Sequence, residues 1–243
     1  MAKSGAPRPG PRRQGKRPAK ATAPKKPQRP ARAADPAAPA PPPPPPAGPF
    51  RLGAIPGATP GKWIDLWQQR MPHTPLELVP LQVAEQRAAL DAASVDAALV
   101  RRPIDVEGLH VIPLYDEVPV VVCAAESHLT AADELTLADL AGEIVISPLD
   151  DVLHVDVPGA VAPAFARPDD TAQAIETVAA GVGIVIVPMS LARLHQRRDV
   201  TQRPLRDGPV SSVALAWPVE ATTELVETFV GIVRGRTARS SRG

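Results

Sequence analysis

Thr177-Val178-Ala179-Ala180-Gly181-Val182-Gly183-Ile184-Val185-Ile186-Val187-Pro188 holds a helix end, two glycines and a strand in twelve residues. Thr171 to Ala180 has helical spacing and runs into Gly181, while Gly183 to Val187 is an apolar, β-branched run closed by Pro188. The two glycines invite a dinucleotide-binding loop, but that loop needs strand, glycines and then helix, and here the order is reversed. Helix C-capping accounts for them. Apolar runs without alternation, rich in Val and Ile, suit strands covered on both faces, so helices must flank a largely buried sheet.

The same grammar extends toward the N-terminus. Phe50 to Ile55 reads as a strand, and Thr59 with Pro60 as an N-cap followed by the first helical residue. Trp63, Leu66, Trp67 and Arg70 then recur at helical spacing until Pro72. Leu76 to Leu81 is the next strand, Ala84 to Ala93 the next helix, and Ala97 to Val100 a third strand closed by Arg101, Arg102 and Pro103. This β-α-β-α-β order begins a doubly wound sheet. Strands around Val111 to Leu114 and Val118 to Cys123 follow, then a Thr-x-x-Asp helix start at Thr136 and a short strand at Ile144 to Ile146. Beyond Pro188 come a helix from Ser190 to Arg197, strands at Val200 to Leu205 and Ser212 to Ala216, and a helix from about Thr222 to Val233. Two α/β lobes are implied, the chain crossing near Ala124 and returning near Asp199.

Charge divides the 243 residues differently. The formal net charge of +1 hides a first segment, 1–49, with 11 basic residues and Asp35 as its single acid, net +10. Residues 50–233 carry 12 basic and 25 acidic side chains, net −13, and four arginines follow from Arg234 onward. The first segment also holds 16 of the 32 prolines and no large apolar residue after Met1, so it cannot bury enough surface to offset its ordering entropy. It is expected to be a disordered Pro/Ala/Lys/Arg-rich arm, with Pro41 to Pro46 a stiff spacer of about 19 Å. Cationic arms gain energy by displacing counterions from polyanions, so Arg12, Arg13, Lys16, Arg17, Lys20, Lys25, Lys26 and Arg29 are candidates for non-specific nucleic-acid contact. No apolar leader and no run of about 20 apolar residues is present, which points to a cytoplasmic chain without a membrane partner. Cys123 is the single cysteine, so no disulfide can form within the chain.

With the element order in hand, the body resembles the effector-binding domain of LysR-type transcriptional regulators. Phe50-Arg-Leu-Gly-Ala is similar to that family's first strand, and Val95-Asp-Ala-Ala-Leu-Val-Arg to its "leu-asp-leu-ala-ile-val-arg" segment. Gly108-Leu-His-Val-Ile-Pro-Leu-Tyr with Val118-Pro-Val-Val-Val-Cys resembles the following strand pair, Ser127-His-Leu the segment leading into the second lobe, and Leu135-Thr-Leu-Ala-Asp-Leu its helix. The stretch 177–188 is the nearest match of all, and Val213-Ala-Leu-Ala-Trp fits the last strand. The resemblance implies an α/β, two-lobed type 2 periplasmic-binding-protein-like fold. It divides the chain into the arm 1–49, a substrate-binding domain 50–235 and a basic tail 236–243, with lobe I at 50–123 and 199–235 and lobe II at 124–198. It further implies a small-molecule effector, a side-by-side homodimer, regulation of transcription and no catalytic site or cofactor.

Two departures accompany it. Where the family carries a helix-turn-helix, this sequence shows the basic arm, so a stand-alone form without a recognition helix is expected. The span from Leu149 to Asp169 is short and contains three prolines, so a helix of the second lobe should be missing or reduced.

Ligands of open α/β lobes sit beyond the carboxyl ends of strands. That rule selects Thr59 and Lys62 after the first strand, Gln82 after the second, Arg101 after the third, Ser147 in the second lobe, and Asp170 and Thr171 at a helix start. Lys62 and Arg101 would favour an anionic effector. Each also has a plain structural reading, N-capping for Thr59 and solvated charge for Lys62 and Arg101. Asp150, Asp151 and Asp156 with His154 form the most polar cluster, able to host a cation or acid-base chemistry, or to be a solvated loop. An enzyme on a related two-lobed fold would need such a converging pair, and a solute-binding protein would need an export signal. The histidines lack metal-ligand spacing and no Gly-x-Ser-x-Gly elbow exists, so no metal is expected.

Overall fold

A computed structural model describes residues 48–235. The arm with its eight basic candidates and the Pro41 to Pro46 spacer, and the tail from Arg236, lie outside the described residues.

Five strands form the first sheet, in the order β2-β1-β3-β9-β4. They are β1 (Phe50–Ala54), β2 (Leu76–Pro80), β3 (Ala97–Arg101), β4 (Leu109–Glu117) and β9 (Ser211–Pro218). β1 pairs in parallel with β2 and β3, as helices α1 (Gly61–Arg70) and α2 (Gln86–Asp91) between them require, whereas β9 runs antiparallel to β3 and β4. The period of two along β3 separates two cores. Ala97 and Leu99 face Trp67 and Phe229, under α1 and α5 (Glu224–Val233), while Ala98 and Val100 face Leu90 of α2.

The second sheet has the order β6-β7-β5-β8. Its strands are β5 (Pro119–Ala124), β6 (Val145–Ile146), β7 (Ile184–Pro188) and β8 (Val200–Pro204). Helices α3 (Thr171–Ala179) and α4 (Met189–Leu194) cover one face through Ile175, Val178 and Leu191. The other face has no long helix among the described residues; two 3₁₀ turns bring Leu129 and Leu140 onto it, and Leu153 and Val157 come from the loop 149–169. That loop holds no helix or strand, in keeping with its prolines.

The quoted stretch is decided by backbone geometry. Gly181 has φ +84°, its N–H donates to Val178 O at 2.9 Å, and the Val182 N–H reaches back to Thr177 O at 3.3 Å, so the carbonyls at the end of α3 are closed off in the Schellman pattern. Gly183 has φ +63° and passes so close to Ile144 that a Cβ would meet the Ile144 carbonyl oxygen, which is why β7 can lie beside β6.

The lobe boundary differs from the expectation. The chain crosses between β4 and β5, at Val118, and returns between β8 and β9. Residues 119–123 and 200–204, assigned from sequence to the first lobe, belong to the second sheet, because β5 pairs with β7 and β8 and with no strand of the first sheet. An apolar run looks the same in either sheet, so only pairing could place it.

Candidate functional site between the two sheets

A cavity of about 760 Å³ opens where the two sheets meet. Pro56 and Gln82, beyond the carboxyl ends of β1 and β2, and Arg101, the last residue of β3, supply one wall. Asp150, Asp151 and His154 of the long loop, Asp170 and Thr171 at the start of α3, and Leu191 and His195 at α4 supply the other. The structure therefore brings together four of the seven cleft candidates. Gln82 shares a reciprocal capping box with Glu85, which fixes the turn after β2. Asp170 caps α3 by accepting the Gln173 N–H at 2.8 Å, and the buried Thr171 hydroxyl donates to Asp150 Oδ1 at 2.9 Å, tying the helix to the loop.

The other three candidates stand apart. Thr59 is exposed and borders a neighbouring cavity of about 530 Å³; α1 begins one residue later than expected, with Pro60 as the N-cap and no side-chain capping bond. The Pro60 carbonyl receives the Trp63 and Ile64 N–H groups. Lys62 is exposed on α1 and Ser147 presents its carbonyl to Arg167 Nε at 2.8 Å; neither borders the cavity between the sheets.

Arg101 is the largest departure from the sequence reading. Its side chain is 2% exposed, and Nη1 donates to Glu117 Oε2 at 2.7 Å and to the Ser211 hydroxyl. Gln86 braces the same residue from behind, accepting the Arg101 N–H at 2.9 Å and donating to its carbonyl at 2.8 Å. The ends of β3, β4 and β9 are thus locked by one buried polar ring. The charge expected at a solvated surface is spent on Glu117, and with Lys62 elsewhere the case for an anionic effector loses both of its cations. Two buried atoms of this seam have no partner among the described residues, Arg101 Nε and Ser190 Oγ. Gly57 touches Ser190 across the sheets: its φ is +83° and a Cβ there would lie 2.3 Å from Ser190 Oγ.

Sequence reasoning missed Glu117, Ser211 and Gln86 altogether, and Asp169, Leu194 and His195 as cavity residues. A weak signal was available for the acids, since Asp150, Asp151 and His154 were already the densest polar cluster. Burial and the neighbouring Glu117 carboxylate both push the Tyr115 hydroxyl up in pKa, and burial does the same to the Cys123 thiol, disfavouring thiolate chemistry. No group of three or more metal-ligating side chains occurs among the described residues, and no described helix is long and apolar enough to cross a membrane.

Comparison with known proteins settles the lineage. The family model described as the LysR substrate binding domain matches residues 44–238. The chain belongs to that family. Among curated relatives, the Hca operon transcriptional activator HcaR of Escherichia coli K12 is 26% identical over 202 residues, covering 77% of this chain and 67% of the relative. The regulator CatR of Pseudomonas putida is 32% identical over 151 residues, covering 58% and 52%. This LysR-family chain thus spans about half to two thirds of the length of these two relatives. The reduced form of OxyR is similar in fold, with TM-score 0.65, 23% identity and coverage of 79% of this chain and 97% of that one. The BenM effector-binding domain with its effector benzoate gives TM-score 0.65, 20% identity and coverage of 80% and 94%. The two-sheet, periplasmic-binding-protein-like architecture expected from the sequence is the one observed.

Proposed function

We propose that the domain is the sensor of a cytoplasmic transcription regulator and that it holds a small-molecule effector in the cavity between the sheets. The observation that carries this reading is the composition of the cavity wall, with Gln82 and Arg101 from one sheet facing Asp150, Thr171 and His195 from the other. A ligand that touches both walls stabilises the closed arrangement by its differential affinity for it, and closure then alters the exposed surfaces through which regulators of this family assemble, here as a homodimer. The relatives are regulators of transcription, which supports a sensing role over turnover.

Thermal unfolding against a small-molecule library tests it. A ligand at about 100 times its Kd adds about 2.7 kcal/mol, which at roughly 2–4 °C per kcal/mol for a domain of this size raises Tm by about 5–11 °C. The hit should be recovered chemically unchanged and should reduce the radius of gyration per protomer, while scattering without ligand should report the dimer mass. Turnover of the hit, or binding without any change in scattering, refutes the sensor.

The arm is assigned a separate role. Its net charge of +10 can neutralise phosphates, whereas the body at −13 repels them, so duplex DNA without sequence preference is the proposed partner of residues 1–49. If about six of those charges engage phosphates, log affinity should fall with log salt at a slope near −5. A chain starting at Phe50 should not bind labelled duplex; equal affinity of the full and shortened chains would exclude the arm.

A further inference from the structure

Gly57 and Ser190 belong to different lobes: the loop after β1 carries the glycine, and α4 of the second lobe carries the serine. Pro56 and Gly57 hold the central places of a turn closed by the Ala58 N–H on Ile55 O at 3.2 Å, and the φ of +83° at Gly57 is what such a turn requires of its third residue. The turn alone accounts for a glycine. It does not account for the direction a Cβ would take, which is into the Ser190 side chain, 2.9 Å from Ser190 Cβ and closer still to Oγ. The two lobes therefore touch here, and the touch has a cost: Ser190 Oγ is buried without a hydrogen-bond partner among the described residues.

Both halves of the contact are tied to the crossing between the lobes. On the first-lobe side Pro56 O accepts from Arg101 Nη2 at 3.5 Å, and Arg101 holds Glu117 and Ser211, the last residue before one crossover and the first after the other. On the second-lobe side the N–H of Met189, next to Ser190, donates to Val118 O at 3.0 Å. The contact also stands between the two cavities, since Pro56 and Leu191 line the larger and Gly57 and Ser190 the smaller. We propose that Gly57 against Ser190 is the latch of the closed arrangement, seated at the hinge, which admits no side chain on the glycine and which the unmet serine hydroxyl keeps easy to release. Parting of the lobes hydrates Ser190 Oγ and opens the wall between the cavities; closing reverses both. The inference rests on the effector-binding reading and deepens it, because it names the contact on which closure turns.

The test reads lobe separation in the full chain without any ligand. Nitroxide labels on Lys62→Cys in α1 and Gln196→Cys just beyond α4, both exposed positions, give the distance by pulsed dipolar spectroscopy, and the buried Cys123 stays unlabelled. Labelled chains are diluted in unlabelled ones so that each distance lies within one protomer. Gly57→Ala should shift the population from the short to the long distance by at least about tenfold, and Ser190→Ala, which deletes the unmet hydroxyl, should shift it toward the short one. Alanine at a positive φ strains the turn by itself, so the deciding variant is Gly57→Ala/Ser190→Gly, which keeps that strain and clears both serine atoms from the path of the new methyl. The short distance should return in it. An unchanged distance in Gly57→Ala, a long one that persists in the double variant, or lengthening in Ser190→Ala overturns the latch and leaves the effector reading to its own ligand test. A distance that stays single and fixed in every chain overturns, in addition, the closing motion on which the sensor depends.

Discussion

Arg101→Ala will cost about 3–5 kcal/mol of folding stability, because it leaves the Glu117 carboxylate buried without a counter-charge. At roughly 2–4 °C per kcal/mol the melting temperature should fall by about 6–20 °C. Glu117 is 8% exposed, and the loss would also strip the Ser211 hydroxyl of its guanidinium partner, while Gln86, which bonds the Arg101 backbone, keeps both of its hydrogen bonds. The decisive comparison is Arg101→Met/Glu117→Leu, which removes both charges and keeps an apolar filling of similar length. Buried pairs replaced together are often neutral or stabilising, so the double variant should regain most of the stability lost in the single one. Urea unfolding of the wild type, of Arg101→Met and Glu117→Leu singly and of the double variant gives the coupling directly; a double variant no more stable than Arg101→Ala would show that the pair is not the source of the effect. The prediction bears on function because Arg101 also lines the cavity, so a stable double variant would keep the fold while changing that wall.

Trp67→Ala is expected to cost a similar amount, about 3–5 kcal/mol, for an unrelated reason. Trp67 is fully buried, stacked on Phe50 with ring centroids 4.7 Å apart and tilted against Phe229 at 6.0 Å, while its indole N–H donates to Thr74 O at 2.8 Å. The chain has only seven aromatic residues, and five of them, Phe50, Trp67, Trp217, Phe229 and the partly buried Trp63, pack in this one core, so its stability is concentrated there. Truncation removes the ring, opens a cavity between α1, α5 and β1, and leaves the Thr74 carbonyl to find another donor. Trp67→Phe keeps most of the stack and should cost much less. Calorimetric unfolding of both decides the matter: equal losses would place the stability in the indole hydrogen bond and not in packing.

Some of the molecule was legible because its signals are local. The order of strands and helices followed from apolar runs, prolines and glycines, with boundaries off by one to three residues where a proline or a capping turn shifted an end, as at Pro60 and at the 3₁₀ turn that replaced the helix expected from Thr136. The placing of Gln82, Asp170 and Thr171 at the cavity came from a rule of topology, that ligands sit beyond the carboxyl ends of strands and at helix starts. The same rule chose Arg101 for the right place and the wrong state. It also chose Lys62 and Ser147, which α1 and the Arg167 contact direct elsewhere.

By itself, then, the sequence determined which segments are helix and strand, that the glycines at 181 and 183 end a helix and start a buried strand, that a cationic segment precedes an acidic body, and that no disulfide can form within the chain. Those properties depend on torsions, side-chain periodicity and composition, all read within a few residues or by counting. Tertiary structure alone decided that β5 and β8 belong to the second sheet, that Arg101 is closed into a ring with Glu117, Ser211 and Gln86, and that acids from 150–151 and 169–170 converge on one cavity. Each of these is a meeting of residues separated along the chain, 16 positions for Arg101 with Glu117 and 110 for Arg101 with Ser211. Strand order fixes such meetings, and strand order is set by the burial of whole faces and not by any short stretch.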